Sequence, residues 1–351
     1  METSELRTNP TSGTNIIVAP DRQKPLEKLR RQIPRDWSRT DEKIVSGEKC
    51  PFCLTHESMT PPEIRAYRKS GTKPDTPGWW VRVTPNLYPT VNPSITSELL
   101  KETAAGPFLV IPAFGYHYVI VEMPEHNSSL ARASSEQVRE VLSMWRDLIR
   151  KVDSDRNIKY CFLFENYGPR AGASQPHPHS QLIALPIIPA RIMKELEGSL
   201  RYWNDNKECF YCVEIDWERR IGKRVIEETD NFLAWCSYTG KTPYQVVISP
   251  KAHQSYFANI STHPQGKDPL TEFSFLLQKV LKRIELALND PDYALYLHTA
   301  PCNQPELSYY HWHLQIEPVT EAVVAGFEKG SGTFINPRTP EAAAEDLRKV
   351  L

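Results

Sequence analysis

Cysteines and histidines recur in this chain in the same order twice. Cys50-Pro-Phe-Cys53 and Cys209-Phe-Tyr-Cys212 are CxxC pairs, while His177-Pro-His179-Ser-Gln181 and His311-Trp-His313-Leu-Gln315 both read HxHxQ. Between them, the run Val119 to His126 resembles Val246 to His253, each strand-like, apolar at first and ending in a Pro and a His. Structural zinc takes four thiolate or imidazole ligands at tetrahedral positions. CxxC turns two sulfurs toward one ion, and each half adds the His ending its strand and the first His of its HxH pair. The candidate sets are Cys50, Cys53, His126 and His177, and Cys209, Cys212, His253 and His311. A lone CxxC also reads as two buried thiols; the duplication with matching histidines favours metal. Two structural Zn2+ per chain are expected, stapling distant segments, because a closed four-ligand set leaves no position for chemistry.

The strip itself carries the chemistry. Alternate residues of a strand share a face, so His177, His179 and Gln181 point the same way, with His179 about 7 Å beyond His177 and free of the metal. A neutral imidazole is a good nucleophile toward phosphorus, and Gln181 can hold a phosphoryl oxygen. Ahead of the strip runs Asn166-Tyr-Gly168-Pro-Arg170-Ala-Gly172-Ala-Ser174. Small residues let backbone N–H groups approach oxygens, and Arg170 and Ser174 add donors. This run also reads as a plain loop; beside HxHxQ it is the best phosphate site in the chain. The second strip keeps His311, His313 and Gln315, but Ala300 to Tyr310 before it is bulky and lacks glycine. His313 is therefore read as a relic or a contact, not a second nucleophile. His117 alternates with its strand and either faces the site or is structural. His56, His263 and His298 show no pattern and read as surface or core residues.

These groups need elements to hold them. Both gaps between strand and strip contain a helix. The first opens on Ser134-Ser-Glu-Gln137, a capping-box pattern, with apolar residues at Val138, Val141, Leu142, Trp145, Leu148 and Ile149. The second repeats that spacing at Phe273, Leu276, Leu277, Val280, Leu281 and Ile284 and closes at Asn289-Asp-Pro-Asp. The result is an internal duplication of roughly 130–160 residues, longer than solenoid repeats. With 351 residues, two related domains are expected, 1–195 and 196–351, with the boundary in the polar stretch Lys194 to Asn206. Thirty prolines against 15 glycines fit loops and edge strands, and Pro176 and Pro178 point to an edge strand for the first strip. Apolar residues at 40% and charged residues at 24% exclude a disordered or fibrous chain. Forty-two basic residues against 43 acidic ones leave no excess to neutralise nucleic acid. The polar opening METSELRTNPTSGTN and the lack of a long apolar run point to no signal peptide, no membrane partner and a cytoplasmic location.

CxxC, a strand ending in His, and His-Pro-His-Ser-Gln together closely resemble the galactose-1-phosphate uridylyltransferase family, the transferase branch of the histidine-triad superfamily. The resemblance covers nearly the whole chain. Asn9-Pro-Thr-Ser-Gly13 to Arg22 is similar to the family's opening strand and basic phosphate contact. Val81 to Pro89, containing Asn86, is similar to its nucleotide-base loop. Gly326 to Asn336, containing Glu328, is similar to its C-terminal sugar-binding segment. The resemblance implies an α+β fold of two duplicated histidine-triad-like domains, antiparallel sheets flanked by helices, and a homodimer with sites completed across subunits. It also implies double displacement: His179 attacks the α-phosphorus of a nucleotide sugar, and a sugar 1-phosphate or phosphate takes the nucleotidyl group in a second step. Gln181 then serves the phosphoryl oxygen, Gly172 and Ser174 the phosphates, Arg22 their charge, and Asn166 sits nearby. Two departures matter: Lys24 stands where a second Arg is usual, and Asn86-Leu-Tyr-Pro-Thr-Val is also similar to relatives acting on ADP-glucose. Three activities fit: uridylyl exchange between UDP-glucose and galactose 1-phosphate, adenylyl transfer from ADP-glucose to phosphate, and a nucleotide-sugar hydrolase or zinc-stapled binding protein.

Overall fold

Runs of buried β-branched and aromatic residues make the strands of this chain, and the duplicated order pairs them symmetrically. The computed structural model describes residues 4–20, 37, 40–95, 103–260, 268–304, 306–320 and 325–351. Its strands are β1 Glu5–Thr8, β2 Asn15–Val18, β3 Arg65–Arg68, β4 Trp79–Pro85, β5 Thr103–Ala105, β6 Phe108–Val110, β7 Tyr116–Val121, β8 Tyr160–Tyr167 and β9 His179–Leu185, then β10 Val225–Glu228, β11 Phe232–Cys236, β12 Val246–Pro250, β13 Tyr293–His298, β14 His313–Pro318 and β15 Phe334–Asn336. The α-helices are α1 Glu42–Val45, α2 Ser135–Asp153, α3 Ala190–Asn206, α4 Phe210–Ile221, α5 Pro269–Leu288, α6 Gly326–Ser331 and α7 Pro340–Lys349.

Ten strands form one antiparallel sheet in the order β10-β11-β12-β14-β13-β8-β9-β7-β4-β3. The order is symmetric about its centre: β8 and β13 are neighbours, and each half continues outward through equivalent strands. Leu295 pairs with Glu165 across this seam. The duplicated halves therefore share one sheet. A small separate sheet joins β1, β2 and β15, bringing the two ends of the chain together. The architecture is the expected α+β one, with helices packed on an antiparallel sheet.

Helices α2 and α5 pack on each other and on the sheet. All six apolar positions of each sequence pattern are buried, from Val138 to Ile149 and from Phe273 to Ile284. Each such side chain contributes about 1.5–3 kcal/mol when fully withdrawn from water. Ser134 caps α2 by accepting the Gln137 N–H at 3.1 Å. The expected capping box is only half made: the Gln137 side chain donates to Trp80 O at 2.7 Å and to Glu122 O at 2.5 Å instead, tying the helix to the sheet. Asn289 ends α5 in the left-handed conformation, as its place in the sequence indicates.

One expectation is corrected. The first strip is not on an edge strand, since β9 lies between β7 and β8. Pro176 and Pro178 precede the strand, so neither withholds a ladder donor, and the Pro178 carbonyl accepts Glu122 N–H at 3.2 Å. The polar stretch Lys194 to Asn206, where the sequence places the boundary, lies within helix α3, whose buried Ile192, Glu195 and Leu196 pack inward; this leaves the expected boundary as it stands. Among the described residues, no helix is long and apolar enough to cross a membrane.

Candidate active site and metal centres

Strand alternation places the strip. Ser180 faces the helices, accepting the Trp145 indole N–H at 2.8 Å, so His179 and Gln181 face the other side of the sheet. His179 is buried, its ring 5.2 Å from that of Phe52, the third residue of the first CxxC. Its Nδ1 lies 2.9 Å from His177 O. A carbonyl can only accept, so Nδ1 carries the proton and Nε2 keeps its lone pair. Burial also lowers the His179 pKa, with the His177 carbonyl opposing. The imidazole is thus neutral with a free Nε2, as nucleophilic attack requires.

Gln181 is oriented by a neighbour. Thr90 N–H donates to His117 Nδ1 at 3.2 Å, which leaves the His117 proton on Nε2, 2.9 Å from Gln181 Oε1. The Gln181 oxygen is thereby occupied and its NH2 remains to donate. His117 faces the site, one of the two readings given above. Asn86 stands beside the same ring, its Nδ2 3.1 Å from His117 Nε2 without a hydrogen bond in this tautomer and its Oδ1 accepting Tyr88 N–H at 2.8 Å.

The small-residue run follows β8 as a tight turn. Gly168 has φ +85, and a Cβ there would lie 2.2 Å from the Asp292 carboxyl carbon and one of its oxygens. That carboxylate accepts the Arg170 N–H at 2.7 Å, fixing the turn. Gly172 is also left-handed, φ +96, with Asn166 Nδ2 3.3 Å from where its Cβ would be. Asn166 continues the ladder one step beyond the Glu165–Ser180 pair, which puts it opposite His179. Ser174 is exposed. The structure thus gathers Asn166, Gly172, His179, Gln181 and Asn86 on neighbouring strands and loops. Arg22 lies outside the described residues, as do Lys24 and His263. Glu328 sits on α6, where its carboxylate accepts Ala325 N–H at 3.0 Å. Its segment is placed with the second half, where Ser331 to Thr333 line a cavity with His313.

Both metal sets are assembled. In each, the four ligand atoms lie within 4.8 Å of one another. Cys53 Sγ is 3.3 Å from His126 Nδ1 and 3.6 Å from His177 Nδ1; Cys50 Sγ is 3.7 Å from His177 Nδ1. Cys212 Sγ is 3.4 Å from His253 Nδ1 and 3.6 Å from His311 Nδ1. Zinc with its usual bond lengths sets tetrahedral S···N edges of about 3.5 Å. Three of the four far nitrogens are engaged as metal-bound histidines require: His177 Nε2 with Met123 O at 2.8 Å, His126 Nε2 with Val45 O at 2.9 Å, and His253 Nε2 with Leu307 O at 3.1 Å; His311 Nε2 is buried without such a partner among the described residues. These donors fit zinc.

Of the histidines without a pattern, His56 and His298 make specific contacts. His298 is fully buried, its Nδ1 2.8 Å from Glu195 Oε2 and its ring 5.0 Å from that of His313. Glu195, His298 and His313 form a third group able to hold a metal ion. No local motif announces it, since Glu195 comes from α3 and His298 from the end of β13; the equivalence of His298 with Asn166 by sheet register is the signal. His56 Nδ1 meets Cys50 O at 2.8 Å, bracing the CxxC turn.

Comparison with known proteins points to one family. The family model described as galactose-1-phosphate uridyl transferase, N-terminal domain, matches residues 1–189. An ADP-glucose phosphorylase from Arabidopsis thaliana is 31% identical, over 99% of this chain and 93% of its own. A galactose-1-phosphate uridylyltransferase from Thermotoga maritima is 31% identical, over 75% of this chain and 82% of its own. The crystal structure of an Arabidopsis thaliana ADP-glucose phosphorylase with bound ADP-glucose superposes with a TM-score of 0.80 at 30% identity, covering 99% of this chain and 100% of that one. With HxHxQ, two CxxC-anchored metal sets and a shared fold, this chain belongs to the galactose-1-phosphate uridylyltransferase family.

Proposed function

We propose that this chain is a nucleotidyltransferase that exchanges UMP between UDP-glucose and galactose 1-phosphate through a nucleotidyl-His179 intermediate. The observation that carries the reading is the His179 tautomer: Nδ1–H is committed to His177 O, leaving Nε2 as the only ring nitrogen able to attack. In the first step Nε2 bonds to the α-phosphorus, the bond to the leaving phosphate breaks, and the sugar 1-phosphate departs with the electron pair. The His177 carbonyl, accepting Nδ1–H, stabilises the positive charge that develops on the ring. The Gln181 NH2 donates to a non-bridging oxygen and Asn166 and Ser174 add further donors, while Gly172, whose own N–H is held by Pro169 O at 3.1 Å, leaves room for the phosphates to approach. In the second step a phosphate oxygen of the acceptor attacks phosphorus and His179 leaves as the neutral imidazole. The leaving group is already a phosphate, so no general acid is needed.

Two zincs per chain are part of the proposal, one on each CxxC set. They hold segments together and take no part in bond making; the first fixes His177 and, through its carbonyl, His179. Arg22 is assigned to phosphate charge, Asn86 to the nucleotide base and Glu328 to the sugar, with the enzyme a cytoplasmic homodimer. We assign the catalytic machinery to residues 1–195 and the second repeat to 196–351.

A second reading, adenylyl transfer between ADP-glucose and phosphate, is favoured by one finding: the ADP-glucose phosphorylase relative matches along 99% of the chain, against 75% for the uridylyltransferase at equal identity. Incubation with UDP-glucose or ADP-glucose followed by mass spectrometry tests both. An acid-labile, base-stable adduct on His179 of UMP or AMP mass identifies the donor, and no adduct with either overturns double displacement. Galactose 1-phosphate, phosphate and water as acceptors then separate transferase, phosphorylase and hydrolase.

A further inference from the structure

Because the sheet order is symmetric, every residue on the face of the first strip has a counterpart in the second half, identified by ladder register. Val119 pairs with Gln181 and Val247 with Gln315, which equates His117 with Gln245. The side-chain contact is kept: His117 meets Gln181 at 2.9 Å, and Gln245 Nε2 donates to Gln315 Oε1 at 3.1 Å. Asn86 N donates to His117 O at 2.8 Å and Ser237 N to Gln245 O at 3.0 Å, so Ser237 stands where Asn86 stands. Phe52 packs on His179 at 5.2 Å, and Tyr211, third residue of the other CxxC, packs on His313 at 5.1 Å. His313 Nδ1 is 3.1 Å from His311 O, as His179 Nδ1 is 2.9 Å from His177 O.

Over this second face lies a cavity of about 470 Å³ lined by His313, Gln315, Gln245 and Ser237. That volume is in the range of small-molecule sites. The chain ends supply further walls: the turn from Thr11 to Asn15 and the segment from Ser331 to Thr333. Lys194 and Lys241 bring positive charge, and Arg191 adds a guanidinium shared with Glu195. Two carboxyl groups also line it, Glu195, held by His298 at 2.8 Å and Arg191 at 3.4 Å, and Glu214. Trp235, 2% exposed, also lines the cavity, and its indole N–H has no partner among the described residues. Cations for a phosphate, with amides, hydroxyls and a spare indole donor for a sugar and base, make a nucleotide-shaped set of donors.

We propose that this cavity is a second nucleotide site, which binds a nucleoside phosphate without covalent attack. The segment before the second strip has no counterpart of the Gly168 to Gly172 turn, so a phosphoryl group in transfer has no seat beside His313. The inference rests on the nucleotidyl-transfer reading of the first half, whose geometry it copies.

Equilibrium dialysis of the full chain with labelled AMP, and separately with labelled UMP, counts the sites. Two nucleotides per chain are expected with at least one of the two probes. Lys241→Met, which removes a cation, and Thr239→Trp, which fills the cavity, should each reduce the count from two to one. A count of one in the unsubstituted chain overturns the second site and leaves the transferase reading standing; a count of zero overturns both. Two sites retained in both variants also overturn the proposal. Hydrogen exchange on the unsubstituted chain provides a readout independent of variant folding: the nucleotide should slow exchange across residues 237–245, and unchanged exchange there overturns the assignment.

Discussion

His117 Nε2 lies 2.9 Å from Gln181 Oε1, and Thr90 N–H on the opposite ring nitrogen decides that His117 is the donor. The chain thus spends a buried histidine on aiming one amide. His117→Phe keeps the ring volume and removes the donor, freeing the amide to rotate. Steady-state kinetics should show kcat lower by about ten- to a hundred-fold, the scale of losing one aligned transition-state donor. KM for the nucleotide sugar should change little. A KM rise with kcat intact would show that His117 serves binding instead.

His179→Asn removes the free Nε2 while keeping a polar side chain. Nucleotide transfer should fall by about three orders of magnitude or more, with no protein-bound nucleotide by mass spectrometry. An adduct persisting in this variant would move the nucleophile elsewhere.

The two metal sets should separate by their effects. Cys53 is 3.3 Å from His126 Nδ1 and 3.6 Å from His177 Nδ1. Cys53→Ala should lower zinc from two to one per chain by elemental analysis, and reduce kcat because His177 positions His179. Cys212→Ala should lose the other zinc and thermal stability, with a much smaller effect on kcat. Equal losses of kcat in the two would refute the link through the His177 carbonyl.

Gly172 at φ +96 is expensive to replace. In Gly172→Ala the left-handed backbone costs about 1–2 kcal/mol, and the methyl group presses on Asn166, 3.3 Å away. Urea unfolding should show that loss, with KM for the nucleotide sugar raised as the phosphate turn shifts.

Glu165 lies under the sheet face, and burial pushes its carboxyl up to about 8. Glu122 beside it is raised too, by burial and by Glu165. The folded state therefore keeps a proton that the unfolded chain, with its value of 4.5, releases. Stability on this account is full below about 4.5 and declines as pH rises toward about 8. Glu165→Gln still accepts the Tyr293 hydroxyl, which donates to Glu165 at 3.1 Å, and carries no charge. Thermal melts at pH 5 and pH 8 should show the variant gaining on the parent as pH rises; a gap independent of pH would remove this pair as the titrating element.

Motif order alone exposed the two metal sets, the strip and both helices, because these rest on short-range spacing and periodicity. The seam was hidden: nothing local to Tyr160–Tyr167 or Tyr293–His298 tells one strand to pair with the other, since both are mainly apolar and aromatic runs suited to any interior position. Pro176 and Pro178 misled for the opposite reason, being read as members of a strand that begins only at His179. His298 and Glu195 escaped because 103 residues separate them and only the fold joins them.

The β8–β13 seam has a consequence for handling either half. Parted there, each would expose a full-length strand with a row of open N–H and C=O groups, carrying residues such as Leu163 and Leu295 that are fully buried in the whole chain. Such a border invites pairing with any other chain and is a hazard for aggregation. Each copy of the repeat thus acts as its sibling's permanent selvedge, whether or not the second half handles substrate.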